Sequence, residues 1–175
     1  VPFSQVNNLI IIPVSINGGP PLNFLFDTGV KSNILFSTSI GNQLGMTYSR
    51  KLNLVGADGQ TVLTASVSTN NHLDLGDIEG TMQAVLVLEE DFLELEKVIG
   101  VPVFGVIGYE FFKYNPIKID YDANKLSFYR TSAFKWRPFG YRTIDFILDD
   151  SKPYIISKIK QIQGPDLEAK LLIDT

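Results

Sequence analysis

Cysteine is absent from this 175-residue chain, and histidine occurs once, at His72. Without cysteine there is no thiol nucleophile, disulfide, thiolate zinc site or iron–sulfur cluster. A single histidine leaves little to build a histidine-rich metal centre or a Ser–His–Asp triad. No apolar run reaches the roughly 18 residues that a membrane-spanning helix needs, so no membrane span is expected. Concentrated positive charge is also missing: 15 basic against 19 acidic residues give −4, a poor match for a phosphate backbone, and no nucleic-acid partner is expected. The acidic run Glu89-Glu90-Asp91, with Glu94 and Glu96, has no EF-hand spacing and reads as a solvated face. No cofactor and no metal are expected.

What the chain does contain is 45% hydrophobic residues, distributed over short Val-, Ile-, Leu- and Phe-rich segments between Gly, Asn, Asp and Pro. This pattern predicts strands near 8–17, 22–27, 51–57, 60–68, 72–76, 80–88, 115–121 and 125–130. Turn chemistry separates them at Asn17-Gly18-Gly19-Pro20, Asp58-Gly59, Gly76-Asp77 and Asp122-Ala123-Asn124-Lys125. Helices are expected only near 37–44, where Ser37 or Thr38 caps the first turn, near 90–96 and over 109–113. The class is therefore all-β with few short helices. Residues 1–130 read as one domain and 131–142 as a connector in which Trp136 and Phe139 act as anchors. Residues 143–175 read as the opening of a second unit, with strands near 142–148, 153–162 and 168–174.

An imperfect internal repeat supports that division. Ile10–Ile16, a turn at Asn17-Gly18-Gly19, and Phe24-Leu25-Phe26-Asp27-Thr28-Gly29 are matched by Tyr154–Lys160, a turn at Gly164-Pro165-Asp166, and Leu171-Leu172-Ile173-Asp174-Thr175. Each copy is expected to be a strand, a turn, and a buried apolar strand that delivers Asp-Thr at its end. An acid directly after three bulky apolar residues is costly unless it accepts several hydrogen bonds. Gly29 permits a tight turn or a close approach by a partner. Taken alone, the tripeptide also suits an ordinary hairpin turn in which Asp27 bonds its own backbone.

Two further segments narrow the choice. Val106-Ile107-Gly108 precedes Tyr109-Glu110-Phe111-Phe112, and Ile117-Lys118-Ile119-Asp120-Tyr121 is followed by a turn and Lys125-Leu126-Ser127-Phe128-Tyr129. In this order and spacing the motifs resemble aspartic peptidases of the retropepsin and pepsin type, bacterial retropepsin-like proteins most closely. The resemblance covers about 1–130 as one lobe. It implies a retropepsin-like (acid protease) closed β-barrel lobe, followed by the first strands of a second, similar lobe. The strand ending at Phe26 is then expected beside the strand carrying Val106 and Ile107, with Gly105 and Gly108 allowing close approach. Gly56, Ala57, Asp58, Gly59 and Gln60 resemble the flap that closes over a substrate cleft.

The resemblance also implies the chemistry. Two carboxylates about 3 Å apart cannot both ionise and so share a proton. One activates a water that attacks the peptide carbonyl, while the other donates a hydrogen bond to the carbonyl oxygen. Asp27 is one member. The second is Asp174 in a two-lobed chain, or a second copy's Asp27 in a homodimer. Thr28 resembles the threonine that reaches the partner loop's backbone, and Gly29 and Thr175 share its supporting role. Val30 departs from two-lobed relatives, many of which carry Ser or Thr there, but suits retropepsins.

The expected function is an aspartic endopeptidase acting on peptide or protein substrates. The alternative is a non-catalytic peptide-binding or assembly module on the same fold. The repeat stops one residue short of the first copy's glycine, which leads to the expectation of a longer two-lobed parent whose missing second lobe completes the site, this piece alone being weak or inactive. Lack of cysteine and a start at Val1, with no basic-then-apolar leader, fit an exported, periplasmic or extracellular, mature chain.

Overall fold

The computed structural model describes residues 1–55, 60, 62–89, 95–134, 140 and 142–175. In chain order the strands of the first unit are β1 (Ser4–Val6), β2 (Leu9–Ile16), β3 (Leu22–Phe26), β4 (Asn33–Leu35), β5 (Tyr48–Val55), β6 (Val62–Asp74), β7 (Glu79–Leu88), β8 (Gly105–Ile107), β9 (Ile117–Asp120) and β10 (Lys125–Phe128). They are interrupted by α1 (Thr38–Gln43), α2 (Leu95–Ile99) and α3 (Tyr109–Phe112). A second group comprises β11 (Ile147–Asp149), β12 (Lys152–Ile159) and β13 (Leu167–Leu172). Among the described residues no helix is long and apolar enough to cross a membrane.

The first eight strands form one sheet in the order β1-β2-β3-β8-β4-β7-β6-β5. β2 also pairs with β6, through Ser15↔Asp74 and Ile16↔Leu73, so the strands from β2 round to β6 make a hydrogen-bonded circuit. The alternation of β2 follows from this closure. Ile10, Ile12, Val14 and Ile16 point into a core shared with Phe24, Phe26, Leu35, Val85, Val87, Ile107 and Leu126. A smaller cluster around Ile11, Phe36, Ala65, Leu88 and Val106 covers the other face. Burial of Ile11 on that second face is why β2 opens as an unbroken Leu9-Ile10-Ile11-Ile12 run, before exposed Pro13 and half-buried Ser15 restore the alternation.

The turns behave as their residues require. Asn17 and Gly18 both have positive φ, the geometry of a tight hairpin, and Gly76 does the same between β6 and β7. Ser37 caps α1, its hydroxyl accepting from Ile40 N–H. β1 and β4 are not among the strands expected from sequence, β5 begins three residues before the strand expected at 51–57, and three further expectations are revised. The strands expected at 60–68 and 72–76 are one strand, β6. Asn70, at positive φ, marks a bulge rather than a turn, and Asn71 is buried there against Ser68 and the Gln83 carbonyl. The helix expected at 90–96 runs over Leu95–Ile99, with 90–94 outside the described residues. The strand expected at 142–148 begins only at Ile147, residues 142–146 being irregular. Trp136 and Phe139 also lie outside the described residues.

β3 and β8 run parallel through Phe24↔Gly105, Leu25↔Val106 and Phe26↔Ile107. A Cβ at Gly105 would stand 2.1 Å from the Ile34 carbonyl oxygen and 2.3 Å from Phe24 Cε1. The obstruction on one side is main chain, which cannot swing aside. Gly105→Ala is therefore expected to cost about 3 kcal/mol, read as a lower urea midpoint at unchanged m value.

Candidate functional site

β2 and β3 form a hairpin in which Ile11 faces Leu25, and Asp27 follows two residues later. β12 and β13 form a second hairpin in which Tyr154 faces Leu172, and Asp174 again follows two residues later. The repeat in the sequence is thus a repeat of local structure: both hairpins end by presenting an aspartate. The two ends meet within this one chain.

Each carboxylate-bearing loop is tied to the other by its threonine. Thr28 Oγ1 donates to the Ile173 carbonyl at 2.8 Å. Thr175 Oγ1 donates to the Phe26 carbonyl at 3.1 Å and accepts from Thr28 N–H at 3.2 Å. The arrangement is reciprocal, since each hydroxyl bonds the backbone next to the other loop's aspartate. Hydroxyl-to-carbonyl bonds of this kind fix the separation of two loops, a job that apolar contacts leave loose.

Asp27 is itself firmly held. Its backbone N–H donates to the Ile107 carbonyl of β8 at 3.1 Å. Its Oδ1 accepts from Gly29 N–H at 2.7 Å and from Val30 N–H at 3.2 Å. These amides favour the charged carboxylate. Burial opposes them more strongly, and so do a hydrogen bond to the Asp174 side chain and that residue's charge, so the Asp27 pKa is pushed up to about 6. Gly29 makes room for the pair: a Cβ there would lie 2.6 Å from Asp174 Oδ1 and 3.0 Å from its Cγ.

Of the other residues singled out in the sequence, Val106 and Ile107 are buried in β8, and Gly108 begins α3 directly behind the Asp27 loop. Gly56, Ala57, Asp58 and Gly59 lie outside the described residues. Gln60 is exposed, and the strands flanking this segment, β5 and β6, pair up to Val55↔Val62. Lys31 pairs with Asp150 in the β11–β12 turn at 2.5 Å, joining the Asp27 loop to the second hairpin group. Sequence reading missed Asn33, an amide 1% exposed behind the same loop. The carbonyl of Ile173, which receives the Thr28 hydroxyl, carries no side-chain signal by which it could have been found.

A model of the family described as aspartyl protease matches residues 12–111, more than half of the chain. The matched span contains Asp27, Thr28, Gly29 and the 105–108 segment, while Asp174 lies beyond it. No curated protein matches the sequence. Among solved structures the chain is similar to a retropepsin-like aspartic protease from Rickettsia conorii, with 18% identity and a TM-score of 0.47 over 70% of this chain and 85% of that one. It is also similar to the retroviral protease-like domain of Ddi1 from Leishmania major, with 17% identity and a TM-score of 0.48 over 69% of this chain and 87% of that one. Matched by the family model over residues 12–111, this all-β chain belongs to the aspartyl protease family.

Proposed function

We propose that the protein is an aspartic endopeptidase that hydrolyses peptide bonds with Asp27 and Asp174 as its acid–base pair. The observation that carries this reading is the meeting of the two carboxyl groups between hairpins locked by reciprocal threonine bonds. Two carboxylates so close hold one proton between them over a range of pH. The ionised group takes a proton from water as the water oxygen bonds to the peptide carbonyl carbon. The protonated group gives its hydrogen to the carbonyl oxygen, and a tetrahedral diol forms. The C–N bond then breaks as one diol hydroxyl gives its proton to the ionised carboxylate and the leaving nitrogen takes the proton of the other carboxyl, so that a carboxylic acid and an amine remain and the pair again holds one proton. No covalent intermediate with the protein is needed.

The raised pKa of Asp27 sets the pH dependence. The pair needs its shared proton, and Asp27 loses it as pH rises past about 6. At about pH 8 only roughly one molecule in a hundred keeps it, so kcat/KM should be roughly a hundredfold lower there than near pH 5. Release of peptides from a reduced, unfolded protein across this range tests the proposal. Cleavage that peaks on the acidic side and is lost in Asp27→Asn is the expected result; no cleavage at any pH, or a rate that climbs into the alkaline range, contradicts it.

A further inference from the structure

The loop after Asp27 is held from behind by the first residues of α3. Tyr109 N–H donates to the Val30 carbonyl at 2.8 Å and Glu110 N–H to the Lys31 carbonyl at 2.9 Å. The amide preceding these, Gly108 N–H, donates to the side-chain Oδ1 of Asn33 at 3.3 Å. Packing here is tight: a Cβ on Gly108 would lie 2.6 Å from the carbonyl oxygens of both Val30 and Ser32.

Asn33 is one of few buried polar side chains among the described residues. Its Nδ2 donates to the Ala84 carbonyl at 3.3 Å and to Gln83 Oε1 at 3.4 Å, both on β7. One amide therefore connects the end of the Asp27 loop, the strand β7 and the start of α3. The comparable buried pair, Ser68 and Asn71, bonds within the β6 bulge, to β7 and, through Asn71 Oδ1, to Asn17 Nδ2 in the β2–β3 turn at the far end of that hairpin, with no bond to residues 28–32 among the described residues. Val30 is the point of transmission. Its carbonyl is held by α3 while its N–H is spent on the Asp27 carboxylate.

We propose that Asn33 is a positioning residue for the reaction, its amide holding α3 against residues 28–32 so that Gly29 and Val30 keep their N–H groups aimed at Asp27. The inference rests on the reading of Asp27 as a member of the acid–base pair. The amide touches no reacting atom and acts only through this loop. Charged groups around the loop are few: Asp174 follows β13 and faces Asp27, Lys31 on the loop is paired with Asp150, and Glu110 on α3 is paired with Lys113. Loss of Asn33 therefore changes the field at Asp27 chiefly through the two amides. Because those amides favour the ionised carboxylate, loosening them must raise the pH at which Asp27 loses its proton.

The test compares Asn33→Leu with Asn71→Ala, which removes another buried amide away from the loop. Two readouts are taken on each: the Asp27 carboxyl titration by carbon NMR, and kcat and KM on an unfolded protein. Both variants are expected to lower the urea midpoint. Only Asn33→Leu should move the Asp27 midpoint upward, by roughly half a unit, and lower kcat by about tenfold at unchanged KM. Asn33→Ser, measured in the same way, takes its place if Asn33→Leu does not fold. A folded Asn33 variant that keeps the parent's titration and kcat overturns the inference, as does an equal shift in Asn71→Ala. Failure of the parent to cleave at all would instead remove the peptidase reading, and the NMR comparison would still decide whether Asn33 positions the Asp27 loop.

Discussion

Asp27→Asn should lower kcat by roughly 10³-fold or more, with KM little altered, because under the proposed function it removes one of the two groups that would move protons and leaves the loop's shape unchanged. The amide oxygen of Asn can still accept from Gly29 and Val30, so the loop has no reason to collapse. The same variant carries a second signature that owes nothing to catalysis. Asp27 binds its proton more tightly in the folded state, with a pKa of about 6, than the ordinary carboxylate value of 3.8. Between these values the folded chain holds more protons than the unfolded one, so stability falls as pH rises through that window. Below it the penalty is absent, and above about pH 6 it is complete. Asp27→Asn has no such penalty. Its melting temperature should therefore exceed the parent's at neutral pH, with the gap narrowing as pH falls toward 4.

Gly29→Ala is expected to be nearly as damaging to activity for a different reason. Gly29 does not use the left-handed backbone region, so alanine meets no main-chain strain there. The added methyl instead enters the space of the Asp174 carboxyl and comes within 3.1 Å of Leu172 Cδ2. Asp174 is a short side chain at a strand end and must shift to make room. A displacement near 1 Å between reacting groups is worth about 10²-fold in rate. A loss of that size with a urea midpoint close to the parent's is the expected pattern. Unchanged kcat would mean that Asp174 does not need its present position.

Much of this site was legible because its signals are local. Phe24-Leu25-Phe26-Asp27 announces a buried strand ending in an acid, and Phe24 and Phe26 are buried. Leu171-Leu172-Ile173-Asp174 reads the same way, but Leu171 and Leu172 of β13, in the three-stranded sheet, and Ile173 after them are exposed, so the second copy repeats the hairpin and its acid without the burial. Asn17-Gly18 marks the hairpin between β2 and β3, since few other pairs accept two positive φ values in succession. What escaped depends on partners far along the chain. β4 is three residues long and owes its existence to pairing with β7 and β8, so Asn33-Ile34-Leu35 shows no alternation worth reading. Asn33 looks like any loop amide beside Lys31 and Ser32, and its burial is set by Gly108 and Ala84, 75 and 51 positions away. The gap expected between strands 60–68 and 72–76 erred in the opposite direction. Asn70 takes a positive φ in a bulge, and pairing with β7 on both sides of it, at Ser68 and at Asn71, keeps β6 one strand.

Titration of the Asp27 carboxyl, in the parent and in Asp174→Asn, bears most directly on the pairing of these two acids. In the parent the midpoint should lie near 6. In Asp174→Asn it should fall toward the ordinary range, because the neighbouring charge is gone and an amide N–H can favour the ionised Asp27. A midpoint that is the same in both proteins would mean that the carboxyl groups do not act as a pair, and the catalytic account would fall with it.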